Sequence, residues 1–176
     1  MKRLSIVLLG LFIFAACESE EKEPYESKTS DISKLVAVIH PLGDSGVMGI
    51  VEFTQIESGV QVSAIITGLN SDKHGFHIHQ FGNCTASDGT SAGGHFDPFS
   101  IGIHGQNRMK KRHMGDMGNL EALNGKAEQI YTDPTILMEE IIGRGIIIHA
   151  GEDDLTSQPS GASGPRVACG VIGVAE

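Results

Sequence analysis

The sequence predicts an all-β domain, built as an antiparallel sandwich or barrel, over most of its 176 residues. Apolar and polar residues alternate with a period of two in several segments, as they do in half-buried strands. Glycine is frequent, with 23 residues, and interrupts these segments at short intervals. No part of the domain shows the period of an amphipathic helix, so short strands joined by turns are the favoured architecture.

Individual segments support this fold class. Residues 60–66 carry the clearest strand pattern, since valine, alanine and isoleucine alternate there with residues such as glutamine and serine. Residues 34–40 form a compact apolar run of strand length. Asn124-Gly125 separates two short alternating runs and is the strongest local signal for a hairpin. The β-branched segments 141–150 and 166–175 are broken by glycine and predict the last strands.

The first 16 residues predict a secretion signal. Two basic residues precede an apolar run from Leu4 to Ala16, and that run is too short to cross a bilayer comfortably as a helix. The run ends in Phe-Ala-Ala-Cys, which resembles the lipobox of bacterial lipoproteins, and the resemblance implies that Cys17 is lipidated and begins the mature chain. The alternative is an ordinary secretion signal that happens to end near a cysteine.

Residues 17–33 predict a flexible tether between the lipid and the domain. The segment is acidic, nearly free of apolar side chains and contains Pro24, so it cannot bury enough surface to fold. One domain then spans residues 34–176. We expect it in the bacterial cell envelope, in the periplasm or at the cell surface, attached to the membrane only through its lipid.

The net charge excludes two classes of partner. Removal of residues 1–16 takes two of the 13 basic residues and none of the 22 acidic ones, which leaves a net charge of about −11. Such an acidic chain is not expected to bind nucleic acid or anionic lipid.

With Cys17 lipidated, Cys84 and Cys169 form an even pair in an oxidising compartment. A bridge between them would close a long loop and stabilise the fold by roughly 4 to 5 kcal/mol in the chain-entropy model. The alternative is two free, buried thiols.

Two histidines stand one residue apart in the strand-like segment 75–84, and they suggest a metal site. Side chains at i and i+2 of a strand point to the same face, so His77 and His79 would offer two nitrogens to one ion. Taken alone, the pair could equally be two half-exposed strand residues. The long stretches 82–118 and 151–164 strengthen the signal, because irregular loops of this length are usually functional or disordered.

The remaining candidate ligands extend the site. Imidazole suits zinc and copper, and a carboxylate can complete a tetrahedral zinc site. The pattern therefore predicts two metal sites, a copper site anchored on strands and a structural zinc that holds the first loop. The further candidates are His95, His104, His113, Asp116 and His149.

Four segments resemble signature motifs of the copper/zinc superoxide dismutase family: GFHIHQFG at 75–82, AGGHFDP at 92–98, RHMGDMGN at 112–119 and GPRVACGVIGVA at 164–175. The resemblance covers residues 34–176. It implies an eight-stranded Greek-key sandwich or barrel with two long functional loops.

The resemblance also implies a role for each candidate. His95 would bridge the two metals, Asp153 would link copper and zinc ligands, and His74 would support the backbone of the copper site. Arg166 would sit over the open copper face, and Cys84 and Cys169 would form a disulfide. The implied copper ligands are His77, His79, His95 and His149, and the implied zinc ligands are His95, His104, His113 and Asp116.

The activity implied by the resemblance is dismutation of superoxide to dioxygen and hydrogen peroxide, by a redox-cycling copper beside a structural zinc, in protection of the cell envelope. Arg166 and His95 would be the catalytic residues. The alternative is a non-catalytic copper- and zinc-binding envelope protein on the same scaffold. A zinc metallohydrolase is disfavoured, since the sequence has no His-Glu-x-x-His motif. The oligomeric state stays open, with a homodimer as one outcome.

The approach of the anionic substrate raises a further hypothesis. In many relatives the second loop carries lysine and glutamate, whereas residues 156–164 here are uncharged. One hypothesis is that the basic run Lys110-Lys111-Arg112, together with Arg166, supplies the attractive charge instead. The alternative is that this run is only a solvated face of the loop.

Overall fold

The computed structural model describes residues 32–70, 72–107 and 109–175. The predicted signal peptide (1–16), Cys17 and nearly all of the predicted tether (17–33) lie outside the described residues. The strands are β1 (Lys34–Pro41), β2 (Met48–Ile56), β3 (Gly59–Thr67), β4 (Lys73–His79), β5 (Asp116–Leu123), β6 (Lys126–Asp133), β7 (Gly145–His149), β8 (Arg166–Val171) and β9 (Gly173–Val174). A 3-10 turn at Thr90–Ala92 and the one-turn helix α1 (Met138–Ile141) complete the regular elements of these ranges.

Eight of the strands close into an antiparallel barrel, which confirms the predicted fold class. The strand order is β2-β3-β6-β5-β4-β7-β8-β1, and β1 also pairs with β2, so the sheet has no open end. The two-residue β9 pairs with β1 beyond the end of β8. Since β3 neighbours β6 rather than β4, the chain crosses the end of the barrel between them, as Greek-key topology requires.

The sequence pattern explains the strands. In β3, Val60, Val62, Ala64 and Ile66 are at most 1% exposed, while their neighbours face outward, so the predicted period of two is confirmed. The predicted hairpin at Asn124-Gly125 is confirmed as well. Both residues have positive φ angles, 52° and 81°, as a two-residue hairpin turn between β5 and β6 requires.

The strands β4 and β7 are buried on both faces, and this places the histidines. Phe76 and Ile78 of β4 belong to the apolar core and are 0% exposed. His77 and His79 alternate with them and therefore point to the outer side of the barrel. They are nevertheless at most 1% exposed, because the long loops cover this part of the barrel.

A disulfide between Cys84 and Cys169 ties the first loop to β8, and the predicted pair is confirmed. The half-cystine of β8 is 1% exposed and packs with Leu42, Ala92 and Ile147 in a small second core. The loop is therefore held to the barrel close to where it leaves β4. No helix within the described ranges is long and apolar enough to cross a membrane.

Candidate metal centre

Strands and loops bring the predicted ligands together over β4 and β7. His77 and His79 come from β4, and His149 is the last residue of β7, which pairs with β4. His95 lies in the first loop and forms a β-bridge with His79. Asp116 begins β5. These five side chains are therefore fixed by strand pairing rather than by loop conformation alone.

The four histidines predicted to bind copper form one buried cluster. Each offers one ring nitrogen, and these nitrogens lie within 4.8 Å of one another. The inward nitrogens have no hydrogen-bond partner: Nδ1 of His77 and Nε2 of His79, His95 and His149. Buried polar atoms are rarely left unpartnered, so a shared metal ion is the natural partner of all four. The donor set fits copper.

The opposite ring nitrogens are anchored, which aims the free ones. His77 Nε2 lies 2.7 Å from Asp153 Oδ2. His79 Nδ1 donates to the carbonyl of Gly93 at 2.9 Å, and His149 Nδ1 donates to that of Gly164 at 3.0 Å. Such contacts fix the tautomer and the orientation of a metal-binding imidazole.

The second predicted set converges on one carboxylate oxygen. Asp116 Oδ1 lies 2.7 Å from His95 Nδ1, 3.0 Å from His104 Nδ1 and 3.2 Å from His113 Nδ1. The His104 contact lacks hydrogen-bond geometry, so its buried Nδ1 also has no partner. Three imidazole nitrogens and one carboxylate are a donor set for tetrahedral zinc.

Two residues join the clusters. His95 faces the copper cluster with Nε2 and the zinc cluster with Nδ1. Asp153 accepts from both sides, through Oδ2 at His77 and through Oδ1, which lies 2.9 Å from His104 Nε2. Asp153 is in turn held by a residue that the sequence analysis did not assign. The side-chain amide of Asn119 exchanges two 2.8 Å hydrogen bonds with the backbone N–H and C=O of Asp153.

Burial keeps the copper cluster unprotonated. It lowers the pKa of His77 to about 3 and that of His149 to about 4. The pKa values of His79 and His95 are lowered by the same cause, with neighbouring imidazoles adding to the effect at His79. At neutral pH these rings therefore present lone pairs, as metal ligation requires.

In the zinc cluster the pKa of His104 is shifted in the opposite direction. Burial alone would lower the pKa of His104, but the adjoining carboxylates of Asp116 and Asp153 raise it to about 9. Burial opposes ionisation of those carboxylates too, yet hydrogen bonds from the imidazoles hold the pKa of each well below its usual range.

A cavity of about 420 Å³ opens above the copper cluster, and its lining includes His79, His95, His149 and Arg166. Two hydrogen bonds hold the guanidinium of Arg166 in place, from Nη1 to the carbonyl of Gly89 at 2.5 Å and from Nη2 to that of Gly93 at 2.7 Å. Burial lowers its pKa, but a guanidinium stays charged at any physiological pH. The cavity thus joins three imidazoles of the copper cluster to one fixed positive charge.

The two remaining histidines, His74 and His40, lie outside both clusters. His74 is 2% exposed, and its two ring nitrogens face the carbonyls of His149 and Asn70 at 2.9 and 3.3 Å. It therefore braces the backbone of a copper-cluster residue. His40 is exposed near the end of β1.

The hypothesis that Lys110-Lys111-Arg112 attracts substrate is wrong for Arg112. This side chain is 3% exposed, and its Nη2 lies 2.5 Å from Oδ2 of the buried Asp133. Its Nη1 donates to the carbonyls of His113 and Met114. Because Arg112 is neutralised inside the protein, only the exposed Lys110 and Lys111 remain available to steer an anion.

A closed antiparallel barrel whose loops hold two adjoining clusters of metal-ligand side chains defines this chain as a two-metal β-barrel protein. The family described as copper/zinc superoxide dismutase (SODC) matches residues 47–172. The chain therefore belongs to the copper/zinc superoxide dismutase family, and its cofactors are copper and zinc.

The alignments with three named relatives cover nearly the whole length of each relative. A Schizosaccharomyces pombe protein named superoxide dismutase [Cu-Zn] is 46% identical in an alignment of 155 positions that covers 81% of this chain and 98% of the relative. Superoxide dismutase [Cu-Zn] A of Xenopus laevis is 43% identical over 150 positions, with 80% of this chain and 97% of the relative covered. A Paramecium bursaria Chlorella virus 1 protein named superoxide dismutase [Cu-Zn] is 38% identical over 184 positions, gaps included, with 98% of this chain and 94% of the relative covered.

Proposed function

We propose that this chain catalyses the dismutation of superoxide, in which two superoxide anions and two protons give one dioxygen and one hydrogen peroxide. The observation that carries the proposal is the cluster of four unpartnered, buried imidazole nitrogens. Three of these histidines, His79, His95 and His149, line one cavity with Arg166. Copper bound there supplies one-electron exchange between its two oxidation states, while zinc keeps one oxidation state.

The ligand assignments form part of the proposal. Four nitrogens without partners would hold copper, namely His77 Nδ1 and Nε2 of His79, His95 and His149. The residues that would hold zinc are His95, His104 and His113, through Nδ1, together with Asp116. The support for both sets is geometric, since each converges on one point and each donor set suits its metal.

Arg166 binds and orients the substrate. Its guanidinium is held by two backbone carbonyls, so its charge faces the cavity without rearrangement. A preorganised cation stabilises an anion in a partly buried cavity more than a mobile one does in water. Superoxide therefore rests against Arg166, next to the copper cluster.

His95 also carries a proton, in addition to its proposed role as a metal ligand. Its Nδ1 stays with Asp116 on the zinc side, which leaves Nε2 as the atom that faces the cavity and the copper cluster. Nε2 would take up a proton from water in the half-reaction that releases dioxygen. It would return that proton in the half-reaction that forms peroxide, where water supplies the second proton.

The test is stopped-flow decay of superoxide with Arg166→Leu, on protein whose copper and zinc content has been measured. We expect the rate constant to fall at least about tenfold with metal content unchanged, because the substrate loses its fixed counter-charge. A variant as fast as wild type would contradict the role of Arg166. Wild-type protein that holds both metals but does not accelerate decay would support the non-catalytic metal-binding alternative.

We also propose attachment to the bacterial cell envelope through a lipid on Cys17, with residues 17–33 as the tether. The support is the sequence: a short apolar run behind two basic residues, ending at a cysteine and followed by an acidic segment. Cys17→Ser should then release a folded, active domain into the soluble fraction. Wild-type protein found unlipidated in that fraction would contradict the anchor.

A homodimer is the further proposal for partners. Support comes from exposed apolar residues on β1, β8 and β9, where Val38 is 53% exposed, Val171 44% and Val174 56%. They flank a shallow concavity lined by Val36, Val38 and Val171 among others. Sedimentation of wild type and Val171→Glu tests it, since a dimer through this face should dissociate in the variant.

A further inference from the structure

The loop between β7 and β8 reaches the zinc cluster through a side chain that is not itself a ligand. Gln158 Oε1 accepts a hydrogen bond from the backbone N–H of His104 at 2.8 Å. Its Nε2 donates to the backbone C=O of the same residue at 2.9 Å, and also to the carbonyl of Thr156 at 3.1 Å. The amide thus pairs with both backbone groups of His104, as a neighbouring strand would.

His104 needs such a partner more than the other ligands do. His77, His79, His149 and Asp116 lie in strands, and His95 forms a β-bridge. His104 lies in a segment without regular structure, next to Gly105 and two residues after Gly102, whose φ is 66°. No backbone–backbone hydrogen bond to His104 occurs among the described residues, so its main chain depends on the Gln158 amide.

The ring of His104 is held by the same loop. Its side chain is 0% exposed, and Nε2 contacts Asp153 Oδ1 at 2.9 Å. With the backbone fixed by Gln158 and the outer nitrogen fixed by Asp153, the unpartnered Nδ1 can point only toward the zinc cluster. Asn119 clamps the backbone of Asp153 in the same two-bond manner.

We infer that Gln158 is a positioning residue of the zinc site, which holds the backbone of His104 so that Nδ1 meets the metal. The inference rests on the zinc site of the proposed function. Loss of contacts that orient a ligand typically costs about ten- to a hundredfold in metal affinity. We expect about tenfold for Gln158→Ala, because its two hydrogen bonds are partly exposed to water.

The experiment is a chelator competition for zinc on purified wild type, Gln158→Ala and Gln55→Ala. Gln55 is the matched control, since its amide donates to the carbonyls of Ile56 and Gly59 at the turn between β2 and β3. Gln158→Glu keeps the size of the side chain but places an oxygen against the carbonyl of His104. It therefore separates hydrogen bonding from packing.

Cobalt(II) in the zinc site gives a readout that general destabilisation would not change, because its visible spectrum reports ligand geometry. We expect weaker zinc binding and an altered cobalt spectrum in Gln158→Ala and Gln158→Glu, with Gln55→Ala like wild type.

Three results would overturn the inference. Gln158→Ala could bind zinc within twofold of wild type with the same cobalt spectrum. Gln55→Ala could lose affinity to the same degree, or Gln158→Glu could behave as wild type. Wild-type protein that binds no zinc would instead overturn the zinc site itself, and the inference with it.

Discussion

At the scale of single residues, each histidine of the copper cluster has one nitrogen anchored and one without a partner. The anchors are Asp153 for His77 and backbone carbonyls for His79 and His149. Because burial also lowers the pKa of these rings, the cluster is a set of neutral donors that point inward. Keeping these imidazoles neutral and buried lowers the free energy of unfolding of the metal-free protein once the pH is acidic enough to protonate free histidine.

Acid should therefore destabilise the metal-free protein. Burial lowers the pKa of His77 to about 3 and of His149 to about 4, from an ordinary value of 6.5 that applies in the unfolded chain. Below that value the unfolded state binds more protons, so the free energy of unfolding falls as the pH drops. His104 has the opposite sign: its contribution is complete below 6.5 and is lost as the pH rises through about 9.

Urea unfolding of the metal-free protein near neutral pH and near pH 5 measures this. We expect a loss of about 2 kcal/mol or more at the lower pH, given about 1.4 kcal/mol for each pKa unit. Equal or greater stability at the lower pH would show that the cluster is not held neutral in the folded state.

The i and i+2 spacing of His77 and His79 in a strand is a local signal and predicted a metal site, whereas the full set of ligands was implied by the family resemblance. The sequence did not predict Gln158 or Asn119. Their contacts join segments 54 and 34 residues apart, and nothing in the chain near either residue marks it. The sequence suggested an exposed Arg112 for the same reason, because nothing near it marks its buried partner Asp133, which lies 21 residues further on.

At the scale of elements, the backbone of the second loop packs closely against the contact between Asp153 and His104, which links the two metal clusters. Gly161 has a φ of 69°, and a Cβ there would lie 1.9 Å from Asp153 Oδ1 and 2.6 Å from His104 Nε2. The loop backbone therefore approaches the Asp153–His104 contact as closely as only glycine permits.

Gly161→Ala should separate Asp153 from His104. We expect zinc affinity and the superoxide rate each to fall about tenfold or more, by loss of an outer contact to the ligand. Gly143→Ala is the control, because Gly143 also has a positive φ, 74°, but has nothing within 4 Å of an added Cβ and belongs to neither metal cluster. Equal effects of the two changes on zinc content would assign the defect to backbone strain rather than to the link.

The first loop is held to the barrel by the buried pair of Arg112 and Asp133, the latter at the end of β6. Arg112→Met removes the charge that neutralises a carboxylate of 0% exposure. Such a loss typically costs about 3 to 5 kcal/mol. Denaturant unfolding of the metal-free variant should show a loss near the lower end, since Thr135 still donates to Asp133. Lys111→Met, at the exposed neighbour, should change stability little, and a similar loss in both variants would contradict a special role for the pair.

The strands were predictable from the sequence, whereas the closure of the barrel was not. Alternation in residues 60–66 and the Asn124-Gly125 turn each specify local structure. The pairing of β1 with β2 on one side and with β8 on the other depends on contacts across the whole chain. For that step the family resemblance, rather than the residue pattern, supplied the prediction.

At the scale of the whole molecule, an acidic protein must admit an anion to its metal site. The cavity is lined by Arg166 but also by Asp97, whose charge is opposite. With Arg112 buried, Lys110 and Lys111 carry what remains of the steering hypothesis. Replacing both by glutamine should lower the superoxide rate at low ionic strength and flatten its salt dependence, with metal content unchanged. Stopped-flow rates over a salt series decide this. If the variant and the wild type gave identical curves, the two lysines would be solvent-exposed residues without a role in steering.

The most direct test of the two-metal account is a metal titration of the metal-free protein, followed by stopped-flow decay of superoxide. We expect zinc alone to give no activity, because zinc does not change its oxidation state. With zinc present, activity should rise in proportion to added copper and level off at one copper per chain, since the copper cluster offers one set of donors. The account would be contradicted if protein that holds one copper and one zinc per chain left the decay of superoxide unchanged.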